Sequence, residues 1–344
     1  MTNATEDTFL GCLLGMAIGD ALGMPVEGWP RQRIAARFGP IDTYHLRVFP
    51  DGTEIKSGEF TDESEIALCI VESLTANHGQ VDPDNVGARM LYLARGESKR
   101  WMSADTLAAL RQADDTLSFC VPLDEDGPAS GEVAARGIPI GLLHAVGAFD
   151  PDRLRADVEA VVRLTHGSPA AIAAAIAVAY GVRLAARGET PPERWAVETA
   201  TFLGAGEVAT ALAHAAELRA AGLPLADILT TLGTGPSARA AVPAAFTAAS
   251  AAQSFEEAVF AAVNAGGDTD TVAAIAGALA GAAGGTSAIP QPLIDDLEGR
   301  IYVSLAAPWF HRVALCRAGL VIDLRPGGPG PNPPPPRPAF PPRV

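Results

Sequence analysis

Three stretches of the 344-residue chain are so nearly free of charge that few folds can hold them. Residues 9–22, FLGCLLGMAIGDAL, are apolar on almost every side of a helix, and residues 168–182 and 271–292 contain no charged side chain. A helix that is apolar all round has to be enclosed, by lipid or by other protein. The second run is too short for a bilayer, and the third is mostly Ala, Gly and small polar residues. Both therefore read as helices buried in protein, with no membrane partner expected. Hydrophobic residues make up 48% of the chain but aromatic ones only 6%. With the apolar weight on Ala, Val, Ile and Leu, closely packed helices are favoured over sheets. Disorder across the body is excluded by the same abundance.

Periodicity predicts further helices around 63–77, 86–93, 104–112, 132–146, 151–164, 169–186, 192–202, 207–221, 224–232, 240–250, 255–264 and 290–305. Pro or Gly stands near most of their ends. Residues 25–59 differ, being rich in Pro, Gly, Asp and aromatic residues with no sustained period, and read as a long surface segment where function concentrates. No set of alternating strands and no solenoid-length repeat is present. The length would allow two domains, but no composition break falls before Arg325. The expectation is an all-α chain, a single large domain of orthogonally packed helices over residues 1–325. Residues 326–344, PGGPGPNPPPPRPAFPPRV, cannot build a core and are expected to form a disordered or polyproline tail.

The formal charge of −15, from 40 acidic against 25 basic residues, is the reverse of what phosphate-backbone binding requires, so no nucleic-acid partner is expected. Cys12, Cys69, Cys120 and Cys316 are scattered without a C-x-x-C pair and read as reduced core thiols. The first seven residues are acidic where a signal peptide would be basic, which points to the cytoplasm.

Chemistry concentrates in two short stretches. In Gly266-Gly267-Asp268-Thr269-Asp270-Thr271, two glycines allow a tight turn and four oxygen-bearing side chains then open a small-residue helix. The helix dipole keeps both carboxylates ionised there. In Thr61-Asp62-Glu63-Ser64-Glu65, acids and hydroxyls again open an apolar helix. Each alone is what an ordinary N-cap supplies. Four consecutive oxygen donors exceed a cap's need, and two such helix starts facing one another would hold hard divalent cations. Mg²⁺ or Mn²⁺ suits the donors; Zn²⁺ does not, since neither stretch has Cys or His.

These motifs, with Gly11-Cys12-Leu13-Leu14-Gly15-Met16-Ala17-Ile18-Gly19-Asp20-Ala21-Leu22-Gly23, the following Pro25 and Glu27, and Thr165-His166, resemble the ADP-ribosylglycohydrolase family in order and separation. The resemblance covers most of residues 8–310. It implies an all-α domain with a central cleft for two Mg²⁺ or Mn²⁺ ions. It implies a hydrolase for the glycosidic bond of an ADP-ribosyl group carried by protein Arg or Ser, by ADP-ribose polymer or by a small molecule. Carried across, Thr61, Asp62, Glu63, Asp268, Asp270 and Thr271 are metal ligands. Glu27, Asp62 and Asp268 are catalytic, with Glu27 matching a glutamate on a mobile loop. Ser130, Gly131 and His166 contact substrate, and Asp20 supports packing.

Two departures and one gap mark this chain. Glu63 stands where relatives usually have Asp. Ser130-Gly131-Glu132 replaces a Gly-Asn-Gly phosphate loop, and Glu132 would repel a phosphate unless it turned away. Asp105 is the only acid in the 99–106 window, where some relatives carry one, and no role is assigned to it. Two other readings stay open: an ADP-ribose-binding protein that kept the fold and lost the reaction, and a metal-dependent hydrolase for another nucleoside-like molecule.

Overall fold

The computed structural model describes residues 4–116 and 118–321. The proline-rich stretch 326–344 lies outside the described residues. Among those described, the order is α1 (Glu6–Gly23), α2 (Arg31–Phe38), β1 (Arg47–Val48), β2 (Glu54–Ile55), α3 (Asp62–Ala76), α4 (Pro83–Arg95), α5 (Ala104–Thr116) and α6 (Gly137–His144). Then follow α7 (Pro151–Val162), α8 (Pro169–Arg187), α9 (Trp195–Leu203), α10 (Glu207–Ala220), α11 (Leu225–Leu232) and α12 (Ala238–Ala251). The chain continues with α13 (Phe255–Ala265), α14 (Thr269–Gly284), α15 (Gln291–Asp295) and α16 (Arg300–Arg317). The protein is all-α, apart from the antiparallel pair β1–β2.

One continuous core takes side chains from Ala4 to Ala314, and α1, α8 and α14 run through it. The uncharged runs of the sequence are thus interior helices. Between α1 and α14 the packing is backbone to backbone. Gly11, Gly15, Gly19 and Gly23 repeat every fourth residue on one face of α1. A Cβ on any of them would fall within 3.0 Å of backbone atoms at Gly281, Gly277, Ala273 and Thr269, in that order. The partners descend as the glycines ascend, so the helices are antiparallel. This seam brings the C-terminal end of α1 beside the N-terminal end of α14, and Thr269 Oγ1 closes it with a 2.8 Å bond to the Gly23 carbonyl.

Four sequence expectations need correction. Residues 25–59 are not wholly irregular, since they contain α2 and the hairpin; α2 buries only Ile34, too little to leave a period. The 132–146 helix opens as a 3₁₀ turn, Glu132–Arg136, before α6. The 290–305 helix is two, split at Gly299 (φ 71°), and α16 runs on through Pro308 to Arg317. Of the four free cysteines, Cys12 and Cys69 are buried, but Cys316 is only half-buried and Cys120 is exposed.

Candidate metal centre

A helix N-terminus leaves N–H groups that some acceptor must take. At α3 the acceptor is not the N-cap residue itself. Asp20, from the last turns of α1, accepts from the Thr61 N–H (3.0 Å), the Thr61 hydroxyl (2.7 Å), the Ser64 N–H (3.1 Å) and the Ser64 hydroxyl (2.6 Å). Asp20 thus caps α3 from another helix, and Thr61 makes no side-chain cap of its own. Asp62 and Glu63 are released from capping duty.

At α14 the N-cap residue, Asp268, also makes no side-chain cap. Its Oδ2 is buried and unpartnered. The turn before it is held from both sides. Gly28 N–H donates to the Gly267 carbonyl (2.8 Å), Gly267 N–H to the Trp29 carbonyl (2.9 Å), and Asp268 N–H to the Thr234 carbonyl (2.7 Å). Thr234 Oγ1 donates to the Gly266 carbonyl at 2.6 Å. Gly266 and Gly267 have φ of 79° and 83°, and a Cβ on either would strike the Trp29 or Thr234 carbonyl. Only glycine fits there.

The two helix starts meet. Thr271 Oγ1 donates to Glu63 Oε1 at 2.9 Å, and Thr61 Oγ1 lies 3.2 Å from Glu63 Oε2. Carboxylate oxygens of Glu27, Asp268 and Asp270 all fall within 4.8 Å of one another, Glu27 being the most exposed of the three. Asp62 stands apart from that triple, in a small cavity with Glu63, Glu132 and Arg136. For Glu27, Asp62, Glu63, Asp268 and Asp270, burial is the largest influence and raises the pKa. Asp268 is pushed up to about 6, and Asp62, Glu63 and Asp270 rise well above the usual range as neighbouring carboxylates add to the burial. The helix dipole does not by itself keep Asp268 and Asp270 ionised, as their sequence position suggested, because like charges gathered this closely resist ionisation unless a cation offsets them. An oxygen-only donor set with an orphaned buried oxygen fits a hard divalent ion.

Glu132 does turn away from the loop it belongs to. Its Oε1 accepts from Ser103 (2.7 Å) and Thr106 (2.9 Å), and His166 Nε2 lies 3.5 Å from the same oxygen. Arg136, buried beneath, donates to Thr165 Oγ1 at 2.7 Å, and that hydroxyl is 2.8 Å from His166 Nδ1. With Thr165 accepting from Arg136, its proton is available to Nδ1, which assigns the ring proton to Nε2. Burial and the adjacent Arg136 charge hold His166 down at about 4, so the ring is neutral at pH 7. The Gly131 N–H is already bonded to the Pro236 carbonyl (2.8 Å) and the Glu132 N–H to Ser130 Oγ (3.3 Å). His166 also lines a cleft of about 370 Å³ that includes Asp105 and Asp124 and, among its described lining residues, no Lys or Arg. Sequence reasoning missed Thr234 and Arg136. Neither sits in a motif, and only the folded backbone brings them to the site.

The fold and the site together define an all-α protein with carboxylates gathered at two helix starts. The chain belongs to the ADP-ribosylglycohydrolase family, which matches residues 1–320. It is 32% identical to the uncharacterized protein YegU of Escherichia coli strain K12, over 85% of this chain and 92% of that one. It is 27% identical to the ADP-ribosyl-[dinitrogen reductase] glycohydrolase of Rhodospirillum rubrum, over 87% and 92% respectively. A solved ADP-ribosylglycohydrolase-related protein complex superposes with a TM-score of 0.68 at 30% identity, covering 90% of this chain and 98% of that one.

Proposed function

We propose that this protein hydrolyses the glycosidic bond between an ADP-ribosyl group and its acceptor, using two Mg²⁺ or Mn²⁺ ions. The observation that carries the reading is the contact between the two helix starts: Glu63 meets Thr271 while Glu27, Asp268 and Asp270 converge beside them. Thr61, Asp62, Glu63, Asp268, Asp270 and Thr271 would hold the ions, with Glu27 at the open side. When bound, such ions would supply Lewis acidity toward the ribose hydroxyls and a water acidic enough to be a nucleophile at neutral pH. The protein's own part is electrostatic and geometric. The glycosidic bond breaks through an oxocarbenium-like state, and carboxylates fixed beside it offset the growing positive charge without rearranging. His166 is neutral, and its Nε2–H, buried beside Glu132 without a hydrogen-bond partner, would donate to a substrate oxygen brought against it. Held in place, sugar and water also meet at reduced entropic cost.

One observation favours a second reading. With the Gly131 and Glu132 N–H groups spent and the His166 cleft acidic, a riboside lacking a diphosphate would fit this side better. The test is a parallel release assay on Arg- and Ser-linked ADP-ribosyl proteins, ADP-ribose polymer, small ADP-ribose conjugates and plain nucleosides, each with Mg²⁺, Mn²⁺ or chelator. Metal-dependent ADP-ribose release is expected. Release of free ribose from nucleosides alone would install the second reading, and calorimetric ADP-ribose binding with no release from any substrate would make this a binding protein.

A further inference from the structure

Arg47 sits in β1, away from every motif, and has no part in the chemistry above. Its Nη1 donates to two main-chain carbonyls, those of Pro25 (3.4 Å) and Glu27 (3.2 Å). Its guanidinium carbon lies 4.1 Å from the centre of the Phe49 ring and 5.4 Å from that of Trp29. The bonds go to backbone, not to the Glu27 carboxylate, which is left directed at Asp268 and Asp270. Glu27 is thus gripped on two sides. The Gly28 and Trp29 backbone is laced to Gly267, and the carbonyls of Pro25 and Glu27 are bonded to Arg47.

We propose that Arg47 is a positioning residue for Glu27: its Nη1 fixes the main chain from which the Glu27 carboxylate reaches the acidic centre, while the Phe49 and Trp29 rings hold the guanidinium in place. This rests on reading the centre as a cation site. The geometry asks for arginine. A planar guanidinium can be seated against aromatic rings while one of its nitrogens donates to both carbonyls, whereas lysine brings one compact charge on a flexible stem.

The test is a titration of the metal-free protein with Mn²⁺, followed by the electron paramagnetic resonance of the free ion, so that no turnover is needed. Wild type, R47K, R47A, E27A, D268A and the double variant R47A/E27A are compared, with melting curves alongside. Both R47K and R47A are expected to weaken Mn²⁺ binding about tenfold, the scale of an outer partner that orients a ligand. Because Arg47 acts through Glu27, the double variant should bind no more weakly than E27A alone. Full rescue by lysine, additive losses, or unchanged affinity in both Arg47 variants would overturn the assignment. Should R47A melt early, R47K carries the comparison with its charge intact. If wild type takes up no Mn²⁺, or E27A and D268A bind as wild type does, the cation reading itself fails and this one with it.

Discussion

The same pair of helices makes a contact of glycine against backbone and, at its end, carries part of a crowded group of carboxylates. Along the α1–α14 seam, Gly11, Gly15 and Gly19 face glycine or alanine backbone, and Gly23 faces that of Thr269 and Asp270. Past its end, Asp268 keeps a buried oxygen without a partner, and Glu27, Asp268 and Asp270 crowd together. The contrast teaches that the second region depends on the first. Acids that repel one another stay together only where the backbones carrying them cannot move apart.

The comparison can be broken at the seam. Gly19→Val would drive a branched side chain into the Ala273 backbone, so a loss of more than about 3 kcal/mol in a urea titration is expected, at the upper end of overpacking costs. Hydrolysis should disappear with the fold. At the mouth the opposite pattern is expected. Asp270→Ala should cut turnover by roughly 10³-fold, the scale of losing a preorganised charge, yet leave metal-free stability unchanged or raised, since a buried like-charge contact is removed. A variant that lost both together would erase the distinction between the two regions.

A third measurement concerns His166. Held near 4 against an ordinary 6.5, it stays neutral in the folded protein while the unfolded chain takes up a proton as pH falls through 6.5. Stability is therefore full above 6.5 and drains away between 6.5 and 4, by up to about 3 kcal/mol from this group. His166→Gln should flatten that part of the pH–stability curve, and an unaltered curve would refute the assignment. Glu63→Asp should be milder. Shortening the arm by one methylene breaks the 2.9 Å contact with Thr271 and should shift Mn²⁺ affinity about tenfold. Removing residues 326–344 should have the smallest effect, with turnover and melting unchanged.

Much of the architecture was legible because burial is written in runs. An uncharged run, such as residues 169–182 of α8 or 271–284 of α14, declares its interior position with no alignment needed. The two oxygen-rich helix starts were legible for the same local reason. Less visible was which acid does which job. Composition makes Thr61 and Asp268 look like caps, and only the fold shows Asp20 capping α3 from α1, with the Thr61 hydroxyl bonded to it, and Asp268 making no side-chain cap at α14. Glu132 looked like an obstacle to phosphate until its partners Ser103 and Thr106 appeared from a distant helix start. Arg47 and Thr234 act through backbone carbonyls, and a residue that bonds to main chain leaves no pattern in side-chain types.

The seam also sets a schedule for synthesis. Its two halves lie near opposite ends of the chain, with Gly11 meeting Gly281 and Gly23 meeting Thr269. A ribosome building this protein must deliver almost the whole of it before α1 finds its permanent neighbour. Until then the first helix, apolar on every side, has to be sheltered by something else. Chaperone demand during translation, and the inactivity of truncated nascent chains, follow from where those glycines fall.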